Sequence, residues 1–207
     1  MKYLRALSGA SEVHRLREVA GILSEQLTDV EKIDSTCWIL FDNNDLAPFN
    51  SENYRFLLEH RKQFSQQVGQ EKVDRRLGML YAGVLSSIVW GRDTKTTLDD
   101  IQEIGNVIRT LKTDDKKRLK AYVDLANAYK EKNTGELLKF CKKVFPAFSD
   151  TDVMMMVMPV SVYFRTQEDK AALKEFIQVG RGIIPNLKTR ENIDYVTYYF
   201  DELAKQM

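Results

Sequence analysis

SENYRFLLEHRKQFSQQVGQEKVDRRLGMLYAGVLSSIVW, residues 51–90, is the stretch that decides the fold class. Tyr54, Leu57, Leu58 and Phe64 recur at helical spacing after Asn50 and Ser51, both good N-cap residues. Val68-Gly69 ends that pattern, and the glycine suits a left-handed C-cap. From Gln70 the series Val73, Leu77, Leu80, Tyr81, Val84, Leu85 and Ile88 runs on for about five turns of helix. Gly78, Ala82, Gly83, Ser86 and Ser87 lie among these large residues. Small side chains let a neighbouring helix approach closely. The long helix is therefore expected at the centre of the molecule, with the two halves of the chain packed against it.

Outward from it the same periodicity continues in both directions. Towards the N-terminus, Tyr3, Leu4 and Leu7 share a face, and Ser11 caps a helix carrying Val13, Leu16, Val19, Ala20, Leu23 and Leu27. Thr28 with Glu31 forms a capping box before Val30, Ile33, Cys37, Trp38, Leu40 and Phe41. Pro48 falls in the loop that follows. Beyond the connector 91–96, Thr97 caps Ile101, Ile104, Val107, Ile108 and Leu111. Thr113 caps Leu119, Tyr122, Val123, Leu125, Ala126 and Tyr129. After a turn at Asn133-Thr134-Gly135 come Leu137, Leu138, Cys141, Val144 and Phe145. Ser149 with Asp152 opens a methionine-rich helix to about Arg165. Pro159 within it lacks an N–H and should kink it. Leu173, Phe176, Ile177 and Val179 mark the next helix, closed by Gly180–Gly182, and Thr189 caps the last. Val162-Tyr163-Phe164 has strand propensity, but the flanking helical period outweighs it. The expected fold is all-α in one domain, 1–207, with sub-halves at 1–90 and 97–207. It holds about eleven or twelve helices in short-linked antiparallel pairs.

Composition narrows the functional classes. Lys+Arg number 31 against Asp+Glu 30, so the formal net charge is +1. Such a balance gives no general attraction to nucleic acid or an anionic membrane. The longest apolar run, from Met154, is too short to cross a bilayer. Met1-Lys2 leads straight into a helical pattern with no signal-peptide pattern ahead of it. The two cysteines, Cys37 and Cys141, form no C-x-x-C pair and read as small buried hydrophobes.

Antiparallel pairs invite a test for repeats. Tyr122, Leu125, Ala126 and Tyr129 resemble the first helix of a tetratricopeptide motif. Tyr163, Ala172, Phe176, Val179 and Pro185 resemble the other half. Tyr3, Leu4, Leu7, Ala20 and Leu23 are a fainter echo. The irregular spacing describes a degenerate tetratricopeptide-like, α-solenoid-like array. A second resemblance lies in Trp38, Pro48, Phe56-Leu57-Leu58, Arg61, Phe64, Val68-Gly69 and Val73-Asp74. This succession is similar to the helical region that follows the thioredoxin-like domain in thioredoxin-family proteins of the bacterial cell envelope, with His60 where that pattern has Asn. The resemblance covers residues 38–74. It implies a longer parent with a secretion signal and a redox domain upstream, and a location in the periplasm or cell envelope. No thioredoxin βαβ pattern or C-x-x-C stands in this chain, so no redox residue carries over, and the matching positions read as structural.

No residue pattern points to catalysis. His14 and His60 have no set of ligands or triad partners around them. Gly180-Arg181-Gly182 lacks the Lys-Ser/Thr of a phosphate loop. The runs Lys116–Arg118 and Lys139–Lys143 read as solvated helix faces. Asp99, Asp100 and Glu103 complement a helix N-terminus. The methionines and tyrosines are more informative. Met154, Met155, Met156 and Met158 cover every side of one turn, so part of the cluster is core and part is free to contact a partner. The candidate partner surface is Tyr129, Met155, Met158, Tyr163, Tyr195 and Tyr198. The expectation is a non-catalytic protein-interaction domain, without cofactor or metal, that binds a protein or peptide partner as the accessory region of a thioredoxin-like protein. Alternatives are a free-standing peptide-binding adaptor and a helical enzyme whose carboxylates assemble from facing helices.

Overall fold

The computed structural model describes residues 58–59, 61–66 and 69–207. The readings for His14, Cys37, Trp38, Pro48 and His60, and the helices expected before residue 58, lie outside the described residues. Residues 61–66 are helical and lead into α1, Gln70–Val89. There follow α2 (Leu98–Thr110), α3 (Lys116–Lys130), α4 (Thr134–Val144), the single turn α5 (Asp150–Asp152), a π-helical segment Val153–Val157, α6 (Met158–Thr166), α7 (Lys170–Arg181) and α8 (Arg190–Lys205). Short 3₁₀ turns occupy Phe145–Ala147 and Ile184–Asn186. No strand occurs among the described residues, and Val162-Tyr163-Phe164 is helical.

Among the described residues helix α1 packs chiefly on α3 and also meets α2, the π-helical segment and α6. Val73, Leu77, Tyr81, Val84, Leu85 and Ile88 are buried, each aliphatic side chain adding roughly 1.5–3 kcal/mol on burial. α1 lies along α3, and a Cβ on Gly78 would stand only 3.1 Å from Leu119 Cδ1. The small residue at 78 thus sets how closely the two helices meet. α3 packs in turn on α2 and α4, α4 on α7, and α7 on α6 and α8. An aromatic cluster joins the C-terminal helices. Phe176 stacks on Phe164 at 4.4 Å between centroids and meets Phe145 at 6.1 Å and Phe200 at 6.0 Å. Such pairs add about 0.5–1.5 kcal/mol each beyond the buried area.

Polar staples hold the ends. Thr97 and Asp100 form a reciprocal capping box at α2, and Ser149 and Asp152 another at α5. Asp74 is fully buried. It accepts from Arg61 Nε at 2.8 Å and from the Lys112 N–H at 2.7 Å, while Arg61 also donates to the Thr110 hydroxyl at 2.8 Å. This ties residues 61–66, α1 and the end of α2 together. Asp152, likewise buried, accepts from the Tyr122 hydroxyl at 2.7 Å. Burial, and then the Asp152 charge, push the Tyr122 hydroxyl far above its ordinary pKa.

Two local expectations are revised, and a third gains detail. The cap of α3 is Asp115, with the Thr113 hydroxyl accepting from the Asp115 N–H at 3.3 Å. Thr189 makes no side-chain cap bond of its own. Instead Asp150 receives the Lys188 and Thr189 N–H groups at 2.9 and 3.1 Å and the Thr189 hydroxyl at 2.6 Å, capping α8 from α5. The third concerns Pro159. In α register the Met155 carbonyl takes its hydrogen bond from residue 159, which has no N–H to give. The backbone widens to π geometry at Val153–Val157, and Ser86 Oγ on α1 donates to the Met155 carbonyl at 2.7 Å.

Candidate functional site

The ends of α1 and α3 and one side of α6 enclose a cleft of about 720 Å³. Its walls include Ile88, Val89 and Trp90, then Tyr129 and Lys132, then Pro159, Val162 and Tyr163. α1 stops because Gly91 takes a φ of 69°, which glycine adopts without strain. The Gly91 N–H donates to the Ile88 carbonyl at 2.9 Å and the Arg92 N–H to the Ser87 carbonyl at 3.0 Å, a Schellman turn. α3 ends the same way, through Lys132 N–H to the Tyr129 carbonyl at 3.0 Å and Asn133 N–H to the Ala128 carbonyl at 3.1 Å. Here Lys132 stands at the left-handed position with φ 54°, a conformation that costs a non-glycine residue about 1 kcal/mol or more.

The Tyr129 and Tyr163 rings meet edge to face at 5.4 Å. The Tyr163 hydroxyl shares a 2.9 Å hydrogen bond with Thr134 Oγ1. Burial, and then the neighbouring Tyr163, raise the Tyr129 hydroxyl above its ordinary pKa, so that phenol stays protonated at physiological pH. A Cβ on Gly91 would stand 3.1 Å from the Tyr129 hydroxyl oxygen, so a glycine there leaves room for the ring. Arg92 lies over the Trp90 ring at 5.0 Å. Asp93, almost fully buried, accepts from the Lys95 and Thr96 N–H groups at 3.0 Å each and fixes the loop. Lys130 Nζ reaches the Thr94 carbonyl at 3.0 Å and clips that loop to α3. The rim is thus preformed.

Of the six residues singled out from sequence, Tyr129 and Tyr163 come together in this cleft. Met155 is half-buried against the core. Met158 is only 3% exposed and belongs to the core, not to a surface. It turns inward with Val157 and Val160, and within this cluster Met154, at 52%, faces out. Tyr195 and Tyr198 are exposed on α8, away from the cleft. Tyr195 stacks on Tyr199 at 6.4 Å, and the Tyr199 hydroxyl bonds Ser161 Oγ at 2.7 Å. Trp90, Gly91, Lys132 and Pro159 were not among the site residues read from the sequence, where Pro159 counted only as a helix kink. Trp90-Gly91 after a long apolar helix was the available signal, an aromatic followed by a C′ glycine.

Among the described residues no group of three or more His, Cys, Asp and Glu could hold a metal ion. Cys141 is fully buried, and burial pushes its thiol well above the usual range, which makes it inert. No helix of the described residues is long and apolar enough to cross a membrane. No family model, curated protein or solved structure matches the chain.

Proposed function

We propose that this chain is a non-catalytic helical interaction domain that holds a segment of a protein partner in the Tyr129–Tyr163 cleft. The observation that carries the reading is the pair of edge-packed tyrosines in the wall of a preformed cleft of about 720 Å³. Tyrosine offers a large rigid ring and a polar tip at a small loss of side-chain freedom, which suits it to contact surfaces. The two Schellman turns and the Asp93 loop order the rim before a partner arrives, so less freedom is lost on binding. The run of neighbours α2–α3–α4–α7–α8 supports an antiparallel, tetratricopeptide-like stack as the scaffold.

The experiment is selection of a random peptide library on the purified chain, followed by anisotropy titration of the selected peptides. They should bind the parent in the micromolar range and lose about tenfold on Tyr163→Ala, a loss of roughly 1.4 kcal/mol. Equal binding to parent and variant, or no enrichment, would overturn the reading.

The resemblance of residues 38–74 favours one setting for such a domain. It would sit beside a thioredoxin-like domain in the periplasm or cell envelope and present that domain to its protein substrates. Arg61 and Asp74, two of the matching positions, pair at 2.8 Å and act as a structural staple in this reading. A strand followed by C-x-x-C encoded upstream of Met1 would support the setting, and a mature start at Met1 would count against it. The chain itself should show no turnover in an insulin-reduction assay.

A further inference from the structure

A second groove, of about 430 Å³, lies between α2 and α3. Its rim carries Arg109, Lys116, Lys117 and Lys120, and a single carboxylate, Asp124, opposes them. Lys117 and Lys120 are exposed, and Lys120 acts on the Asp124 carboxylate one turn further along α3. Lys116 Nζ donates to the Arg109 carbonyl at 3.0 Å. The floor is apolar, made by Ile108 and Val123. Residue 105 is glycine, and a Cβ there would sit in ordinary contact with Val123 at 3.4 Å from its Cγ1, so the floor has space for an apolar group above it.

Two of these cations also serve the fold: Arg109 sits in the last turn of α2, where a positive charge is favourable, and Lys116 meets the Arg109 carbonyl. Lys116 and Lys117 occupy the first turn of α3, which has no acidic residue. Basic side chains at the positive end of a helix are unfavourable by a few tenths of a kcal/mol each. With Arg109 and Lys120 they place four cations against one lining carboxylate around an apolar floor, in a chain whose overall charge is close to zero.

We propose that this groove docks an acidic amphipathic segment of a partner protein, with one aliphatic side chain seated over Gly105 and flanking carboxylates paired to Lys117 and Lys120. Charge complementarity selects the carboxylates, and the gap at Gly105 selects the aliphatic anchor. A nucleic acid fits less well, because no aromatic residue lines the groove to stack a base. The site is separate from the tyrosine cleft.

The test is an anisotropy titration of a fluorescein-labelled peptide with leucines on one helical face and glutamates beside them. The parent chain should bind it saturably and more weakly as salt rises. The double variant Lys117→Glu/Lys120→Glu should lose about tenfold or more. Gly105→Leu, which fills the floor and leaves the charges in place, should lose a similar factor. A control on exposed positions of α7, Lys170→Glu/Lys174→Glu, and Tyr163→Ala in the cleft should leave the titration unchanged. Circular-dichroism melts verify that each variant is folded. The proposal is overturned if the peptide does not bind. It is equally overturned if Gly105→Leu binds like the parent, leaving charge alone, or if single-stranded RNA or inorganic phosphate displaces the peptide from the groove.

Discussion

Ser86→Ala tests how the chain tolerates a proline inside a helix. Ser86 is 5% exposed on α1, and its hydroxyl donates to the Met155 carbonyl at 2.7 Å. Pro159 removes the N–H that would serve this carbonyl in α register, so alanine at 86 leaves a buried acceptor without its donor. An unsatisfied buried group costs about 1–3 kcal/mol. Alanine returns roughly half a kcal/mol of helix propensity. The net loss is therefore about 0.5–2.5 kcal/mol, which for a chain of this size lowers the melting midpoint by about 1–10 °C. The specific assay is a double-mutant cycle followed by circular dichroism. Pro159→Ala supplies an N–H at residue 159, at some loss of packing because Pro159 is buried. In that background Ser86→Ala should cost less than half as much, a coupling near 1 kcal/mol. A Ser86→Ala midpoint within about 1 °C of the parent would refute the reasoning. So would an equal cost in both backgrounds, since the bond would then owe nothing to the proline.

Other perturbations address the remaining staples. Asp74→Ala strips a buried acceptor from Arg61 and from the Lys112 N–H, and breaking a buried pair costs about 3–5 kcal/mol. Arg61 is 18% exposed and keeps Thr110, so urea unfolding should show the lower end, near 3 kcal/mol. Gly180→Ala would drive a methyl group into the Phe200 ring. Overpacking of about 1–3 kcal/mol should outweigh the helix-propensity gain, and Phe200→Leu should relieve part of it in the double variant. Asp150 is held below the usual carboxylate range by hydrogen bonds from Thr189, Asn192 and the Lys188 N–H. Its depressed folded pKa means that it stabilises the fold above the unfolded value of about 4, and that this is lost as pH falls further. The difference in melting temperature between parent and Asp150→Ala should thus be constant from neutral pH to about 5 and shrink below about 4. A difference that grows on acidification would contradict the assignment.

The parts of this structure legible in the sequence are those set by neighbours along the chain. The long apolar series from Val73 to Ile88 gives α1, and Thr97–Asp100 and Ser149–Asp152 mark their helix starts because each capping box closes within one turn. Thr189 has the right residue type for a cap, yet the cap comes from Asp150, 39 residues earlier. Local rules cannot register a donor set completed by tertiary packing. Pro159 shows the same limit. Its missing N–H is plain in the sequence, but the partner that compensates, Ser86, lies 69 residues away, and the helix responds by widening to π geometry.

The candidate sites follow the same division. Tyr129 and Tyr163 were recognisable as amphipathic aromatic residues, but their pairing depends on how α3 and α6 cross. Met158 shared its sequence signal with Met154, four residues away and on the same face of an ideal α-helix, but the π-helical turn between them changes the register and leaves Met158 in the core and Met154 in solvent. Lys116–Arg118 reads as one solvated basic run, yet the structure divides it. Arg118 turns inward to Asp115 and Asp152, at 3.2 and 3.8 Å, while Lys116 and Lys117 remain on the groove rim. What makes that rim a candidate surface is the missing side chain at Gly105 on the adjacent helix. A basic run becomes specific only through the shape of what it faces, and that shape is a property of the α2–α3 pair rather than of either sequence segment.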